Sequence, residues 1–283
     1  MGSTILSLLK ESESRLLAVD SPRLSAEVLV AEVLGCSRLT LVGDREREVD
    51  DRDLERIREL VGRRATGEPL AYILGRKEFY GLDFMVTPDT LIPRPETEHI
   101  IEAVEEHFPR DSRFRFADLG TGSGILAVTL AHLFTGSKGV AVDLSPGALN
   151  VAEKNALAHG VADRVEFRLG DFTERLFPDD SLDLIVSNPP YVPQQEFDEA
   201  SREVVDFEPV TALVSGADGL DHIRAMLPRV TDALKTGGLF MMEIGYRQAE
   251  GVVRIITDYL SEYKEIQVLK DLAEHDRIVL LRK

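Results

Sequence analysis

The sequence Asn-Pro-Pro-Tyr at residues 188–191 carries the most specific chemical signal in the chain. A planar amide or aromatic amine is a poor nucleophile, because its nitrogen lone pair is delocalised. The side-chain carbonyl of Asn188 and the main-chain carbonyl of Pro189 can both accept hydrogen bonds from an –NH2 group. Pro189 and Pro190 stiffen the turn because each fixes φ, and Tyr191 offers a flat face for stacking. The tetrapeptide therefore predicts a site that holds a planar amino nitrogen in line with a carbon it attacks, with catalysis mainly by alignment.

A glycine-rich turn, DLGTGSG at residues 118–124, follows a predicted strand and precedes a helix. A phosphate-binding P-loop would need a Gly-Lys-Ser/Thr ending, and Ile125-Leu126 stands there instead. A dinucleotide fingerprint is formally matched by Gly122, Gly124 and Ala127, and a plain tight turn also stays open on this motif alone. The remaining interpretation is an S-adenosylmethionine loop, in which Asp118 faces the methionyl amine. In that interpretation the ligand lies against the main chain of Gly120, Thr121, Gly122 and Gly124.

Two further carboxylates follow predicted strands. Asp143 is placed to accept hydrogen bonds from ribose hydroxyls, in NAD and in adenosylmethionine enzymes alike, although a helix N-cap before Pro146 is the alternative. Asp171 could take an adenine amino group while the Phe172 ring packs on the base. Together these residues predict an adenosine-containing ligand. A dehydrogenase has no use for the tetrapeptide that contains Asn188, which favours S-adenosylmethionine, with S-adenosylhomocysteine as product and no metal.

The order of predicted elements gives the fold that must position these residues. Helical periodicity fills roughly the first 75 residues, with helices from Pro22 to a stop at Gly35 and from about Asp51 toward Gly67. Two short strands around Gly81 come next, and Pro95 is predicted to be the first residue of a helix. Strands and helices then alternate, which predicts an α/β fold with a mostly parallel, Rossmann-like seven-stranded sheet. The later elements are strand LFMMEI, a helix from about Gln248 to Leu260, and strands near Ile266 and Ile278.

Composition limits the classes of partner. The 283 residues carry 33 Lys and Arg against 50 Asp and Glu, a net charge of −17, which disfavours a nucleic-acid substrate. The single Cys36 excludes an intrachain disulfide and fits a reducing compartment. The first residues lack the apolar run of a signal peptide, and no stretch is apolar enough to span a membrane. We therefore expect a cytoplasmic protein, monomeric, whose six histidines have no metal-ligand spacing.

The chain resembles the peptide chain release factor glutamine methyltransferases (PrmC/HemK). The resemblance covers nearly the whole chain and is weakest in the helical N-terminal part. Beyond DLGTGSG, it rests on GEPLAYILGRKEFYGLDFMVTPDTLIPRPETE at residues 67–98, NPPYVP at 188–193, FEPVTALVSGADGL at 207–220 and DLAEHDRIV at 271–279. It implies methyl transfer from S-adenosylmethionine to the glutamine side-chain nitrogen in the Gly-Gly-Gln motif of class I release factors.

The resemblance also implies roles and a domain division. The segment Arg94-Pro95-Glu96-Thr97-Glu98 lines the entrance of the site, where the family often has Asp in place of Glu96, and Glu208-Pro209 shapes the substrate loop. The expected division is an N-terminal helical substrate-docking domain (1–75), a β-hairpin linker (76–93) and a methyltransferase domain (94–283). The main alternative is an adenine amino-group methyltransferase that acts on DNA or RNA, and a non-catalytic adenosylmethionine-binding protein is another. The negative charge disfavours the former, and Asn188 with Tyr191 disfavours the latter.

Overall fold

The computed structural model describes residues 3–259 and 262–283, which divide into two compact units. The first unit contains Met1–Gly75 together with Ser201–Phe207, and the second contains Arg76–Ala200 and Glu208–Lys283. The chain therefore leaves the second unit for a short stretch just before Glu208.

The first unit is helical and has its own apolar core. Its helices are α1 (Ile5–Arg15), α2 (Pro22–Leu34), α3 (Arg38–Gly43), α4 (Asp51–Ala65), α5 (Leu70–Leu74) and, from the returning segment, α10 (Arg202–Phe207). Helices α2 and α4 lie where the sequence predicts them, and α2 ends at Gly35 in the left-handed conformation. The six-residue α3 and five-residue α5 were not predicted, because so few residues show no clear periodicity.

The second unit holds a small hairpin and a large sheet. Strands β1 (Arg76–Phe79) and β2 (Leu82–Met85) pair antiparallel around the predicted turn. The strands of the large sheet are β3 (Arg115–Leu119), β4 (Lys138–Asp143), β5 (Val165–Leu169), β6 (Leu182–Ser187), β7 (Leu234–Glu243), β8 (Glu265–Lys270) and β9 (Asp276–Arg282). Within the described residues their order is β5-β4-β3-β6-β7-β9-β8, with β9 antiparallel to both neighbours. The mostly parallel seven-stranded sheet is thus confirmed.

Helices cover both faces of this sheet. They are α6 (Glu98–His107), α7 (Ile125–Leu133), α8 (Pro146–Ala158), α11 (Asp221–Ala233) and α12 (Ala249–Tyr259), and a short α9 (Gln194–Asp198) follows the tetrapeptide. Alternate residues of each strand enter two separate cores: Phe116 packs with α6 and α7, whereas the adjacent Ala117 packs with α11 and α12. Burial on both faces explains why the strands read as continuous apolar runs.

Two element boundaries differ from the sequence prediction. Pro95 begins a 3-10 turn (Pro95–Thr97), and the α-helix begins at Glu98. Strand β7 begins at Leu234, five residues before the predicted start, because Leu234 pairs with Leu182 ahead of a register shift. The predicted end of the last helix at Leu260 lies outside the described residues.

Gly139 on β4 has a specific packing role opposite Phe116 on β3. The two residues are register partners, and a Cβ on Gly139 would lie 2.2 Å from the Phe116 ring. We expect Gly139→Ala to lower the free energy of unfolding by about 1–3 kcal/mol, because the ring must move within a packed core. Urea unfolding followed by circular dichroism would measure it.

Gly62 in α4 gives the matched control. A Cβ there meets only the Arg15 guanidinium, at 3.9 Å. Gly62→Ala should therefore stabilise the helix by about 0.5–1 kcal/mol. Equal effects of the two substitutions would show that the packing of Gly139 against Phe116 is not the constraint we describe.

Candidate active site

A cavity of about 410 Å³ opens at the carboxyl ends of the parallel strands. Ligands of α/β sheets bind at this edge. The cavity is lined by predicted site residues from four strand ends and from the segment before α6, namely Asp118, Gly120, Thr121, Gly122, Asp143, Asp171, Phe172, Asn188, Pro190 and Arg94. The fold therefore brings together residues that are scattered from position 94 to position 190.

Asp118 is the most unusual group in this cavity. Its side chain is buried, with one oxygen accepting from the Thr121 hydroxyl at 2.6 Å and from the Ala127 amide at 3.1 Å. The other oxygen, Oδ1, is buried and has no hydrogen-bond partner among the described residues. Burial raises the pKa of this carboxyl to about 7, against the hydrogen bonds from Thr121 and Ala127. A cation in the cavity would satisfy Oδ1 and restore its charge.

Gly120 leaves the room that a ligand needs beside Asp118. Its φ of +74° is in the left-handed region, and a Cβ there would lie 3.5 Å from the Phe172 ring. Phe172 also packs edge-on against His222, at 5.9 Å between ring centroids. Glycine thus keeps the main chain open between the acidic end and the aromatic end of the cavity. An orphaned carboxylate oxygen and an aromatic wall fit the amino-acid and adenine ends of S-adenosylmethionine.

The other two predicted carboxylates are held by main-chain amides. Asp143 accepts from the Gly122 amide at 2.8 Å and from the Ser145 amide at 2.9 Å, while burial raises its pKa. Ser145, and not Asp143, caps α8 with its side chain. Asp171 accepts from both the amide and the hydroxyl of Thr173. These bonds fix each carboxylate at the cavity wall and leave lone pairs for ligand hydroxyl or amino groups.

Asn188 and Tyr191 are joined by a hydrogen-bonded chain behind the cavity. The Asn188 side-chain NH2 donates to the Thr97 hydroxyl at 3.0 Å, and Thr97 donates to Glu243 Oε2 at 2.6 Å. The Tyr191 hydroxyl donates to the other Glu243 oxygen, Oε1, at 2.8 Å. Burial raises the pKa of Glu243, and it also raises that of Tyr191 well above its usual value. The buried Glu243 carboxylate therefore links two predicted site residues.

Five predicted site residues do not line the cavity directly. Tyr191 and Pro189 belong to the same turn as Asn188, and Gly124 packs at the start of α7, where a Cβ would lie 3.1 Å from Ala152. Glu208 is buried, and its oxygens accept from Arg94 at 2.6 Å and from the Ile92 amide at 3.2 Å. Glu96 is half-buried in the 3-10 turn, and its charge raises the pKa of Glu243.

Several lining residues were missed by sequence reasoning. They are His222 at the start of α11, the stretch Pro88–Leu91 and the loop residues Thr211 and Ala212. His222 Nδ1 lies 2.8 Å from the Ser215 hydroxyl, which fixes the ring beside Phe172. The sequence signal was available in part, since Pro88–Leu91, Thr211 and Ala212 fall inside the VTPDTL and FEPVTALVSGADGL segments, whereas His222 lies two residues beyond the second segment. Thr97 was expected only as part of the entrance segment, without a role of its own, and Glu243 was missed, since it is marked only as a carboxylate that ends an apolar strand.

The described residues offer neither a metal site nor a membrane-spanning helix. Among residues 3–259 and 262–283, no cluster of His, Cys, Asp and Glu could hold a metal ion. None of the helices described is long and apolar enough to cross a membrane.

Comparisons with known proteins place the chain in a family. Residues 7–75 match the PrmC N-terminal domain, and residues 116–207 match a methyltransferase domain. A release factor glutamine methyltransferase from Nitratidesulfovibrio vulgaris is 46% identical, covering 99% of this chain and 96% of its own. One from Koribacter versatilis is 47% identical, covering 93% of this chain and 92% of its own. The chain belongs to the release factor glutamine methyltransferase family. It is an S-adenosylmethionine-dependent methyltransferase.

Solved structures share the fold at low sequence identity. The catalytic domain of hMettl16, in complex with an RNA hairpin, has a TM-score of 0.58 at 16% identity and covers 79% of this chain and 81% of its own. A Thermotoga maritima O-methyltransferase has a TM-score of 0.50 at 15% identity and covers 74% and 77%. At these identities the likeness shows the fold alone.

We expect Asp118→Asn to weaken donor binding by about 1.5–3 kcal/mol, the range for a hydrogen bond to a charged group. The asparagine carbonyl must face the Ala127 amide, so its NH2 would point toward the donor's ammonium. For the wild type, affinity should fall as pH decreases through about 7, because protonation of Asp118 removes the charge that the ammonium meets. Calorimetric titration with S-adenosylmethionine and S-adenosylhomocysteine at several pH values would measure both effects.

Methylthioadenosine, which lacks the amino-acid part, provides the control ligand. Its affinity should be the same for wild type and Asp118→Asn. The raised pKa also means that the ligand-free fold loses stability as pH rises through about 7, so Asp118→Asn should not lower the melting temperature at about pH 8. An unchanged donor affinity in the variant would place the ammonium elsewhere.

Proposed function

We propose that this chain transfers a methyl group from S-adenosylmethionine to the side-chain nitrogen of the glutamine in the Gly-Gly-Gln motif of class I peptide chain release factors. The single observation that carries the proposal is the position of Asn188. It lines the donor cavity together with Asp118 and Gly120, and its NH2 is already bonded to Thr97. Its carbonyl is therefore left as an acceptor for a substrate –NH2 group.

The donor supplies a methyl group on a sulfonium, which is already a good leaving group. The residues of the site then have to bind the donor and the substrate and align the two. Asp118, Asp143 and Phe172 hold the amino, ribose and adenine parts, and the Asn188 side-chain carbonyl accepts a hydrogen of the substrate amide. The nitrogen forms its bond to the methyl carbon as the sulfur–carbon bond breaks, and one proton leaves to water. Alignment of this kind can contribute on the order of 7–11 kcal/mol.

The choice of glutamine over adenine as substrate has two supports. Two curated relatives that match over more than nine-tenths of this chain are named for a release factor glutamine substrate. The net charge of −17 also opposes binding to a phosphate backbone. The RNA bound by hMettl16 gives no argument here, because that likeness is one of fold.

The direct test offers the enzyme labelled donor with three substrates in parallel. These are a class I release factor, the same factor with the motif glutamine replaced by alanine, and duplex DNA or RNA. We expect label only in the unaltered release factor, at the motif glutamine, located by mass spectrometry. Label in the nucleic acid instead would favour adenine methylation.

We expect Asn188→Ala to lower kcat by about 100-fold or more, because the acceptor that fixes the substrate nitrogen is lost. Donor affinity should change little. Asn150, exposed on α8, gives the matched control, since Asn150→Ala removes the same group outside the cavity. Near-normal turnover by Asn188→Ala would remove the observation on which the proposed function rests.

A further inference from the structure

The hydrogen bonds around Glu243 determine which end of the Asn188 amide faces the cavity. When Glu243 is ionised, the state that the charge of Arg277 favours, its carboxylate has no proton to donate, so it accepts from both of its partners, the Thr97 and Tyr191 hydroxyls. Thr97 has only one hydroxyl proton, and that proton is used on Glu243. Its oxygen can therefore only accept from Asn188, which must turn its NH2 toward Thr97.

Burial removes the alternatives that water would provide. Thr97 and Glu243 are 0% and 1% exposed, so their hydroxyl and carboxylate must be satisfied by each other and by neighbouring side chains. An amide that turned over would place its carbonyl against the Thr97 oxygen, leaving two acceptors facing each other with no proton between them. The network therefore permits one orientation of Asn188 and forbids the reverse.

We propose that Thr97 and Glu243 are positioning residues that fix the polarity of the Asn188 amide, so that its carbonyl meets the substrate –NH2 group. The inference rests on the proposed function in one respect, namely that the group presented to Asn188 carries N–H hydrogens. Neither Thr97 nor Glu243 is among the residues that line the cavity. Both act through Asn188.

The same hydrogen-bond network also fixes the position of Tyr191. Its hydroxyl is committed to Glu243, and its main-chain carbonyl accepts from the Gln248 side chain at 2.8 Å. The hydroxyl end of the ring is thereby fixed by Glu243, and the main chain that carries the ring is fixed by Gln248. Glu243 thus holds two residues of one turn, Tyr191 directly and Asn188 through Thr97.

The test compares Thr97→Val with Thr97→Ser in the full-length protein. Valine keeps the shape but cannot accept from Asn188, whereas serine keeps the hydroxyl. Thr129 supplies the matched control, because it is equally buried and its hydroxyl has no hydrogen-bond partner among the described residues. Each variant is measured for donor affinity by calorimetry, for kcat and KM on a release factor, and for melting temperature.

A second measurement, by NMR, does not depend on catalytic turnover. In the 15N-labelled protein, the side-chain amide signals of Asn188, assigned by their loss in Asn188→Ala, report its orientation. In the wild type and in Thr97→Ser we expect one NH2 pair with a slowly exchanging proton. In Thr97→Val we expect loss of that protection and a kcat lower by about 10–100-fold, the cost of a misplaced reacting group. Donor affinity should stay within about twofold, because the cavity lining is unchanged.

The outcomes are distinguishable. Protected Asn188 signals in Thr97→Val, or turnover like that of Thr129→Val, would overturn the positioning role. A loss of activity in Thr97→Val that Thr97→Ser does not rescue would do the same, since it would trace to shape and not to the hydroxyl. If the wild type methylated no release factor, the proposed function would fail, and the amide signals would still decide whether Thr97 orients Asn188.

Discussion

A carboxylate buried in a protein must be surrounded by donors, and the site depends on how this chain meets that requirement at Glu243. Uncompensated, a buried charge costs several kcal/mol, which is a large share of the net stability of a domain. The compensation comes from hydroxyls on two segments remote in sequence, Thr97 before α6 and Tyr191 after β6. Satisfying one buried charge therefore brings the entrance segment and the tetrapeptide to the end of β7. The arrangement of these three segments therefore follows from the cost of removing a carboxylate from water.

At the donor end of the cavity, by contrast, a buried carboxylate is only partly satisfied by hydrogen bonds. Among the residues that the structure describes, none pairs with one buried oxygen of Asp118, although Thr121 and Ala127 satisfy the other. An unmet buried acceptor costs free energy in the ligand-free protein, and a cationic ligand removes that cost when it binds. On the proposed assignment of Asp118, selectivity for the ammonium of the donor would arise from this unsatisfied oxygen. The two ends of the site differ in this way: the amide end is satisfied before substrate arrives, and the donor end is not.

Much of this could be predicted from local sequence, and the reason is the topology of parallel sheets. Asp118, Asp143 and Asn188 each follow an apolar strand, and the carboxyl ends of parallel strands meet at one edge. Their convergence required no knowledge of distant contacts. Thr97 and Glu243 could not be found in this manner, because their bond joins residues 146 positions apart. A threonine in a turn and a glutamate at a strand end carry no periodicity that would pair them. The domain boundaries and the roles of individual site residues stay predictions.

The polarity of the Asn188 amide has a consequence for substrate choice. If its carbonyl faces the substrate, a primary amide can donate to it, whereas a carboxylate of the same shape would bring oxygen lone pairs against oxygen lone pairs. Sites built to hydrogen-bond one polar group reject an isostere that lacks the hydrogen, because a buried partner is then left unpaired. Glutamine and glutamate differ in that one group. The discrimination would therefore be set by the single proton of Thr97, whose direction is dictated by a carboxylate that the substrate never touches.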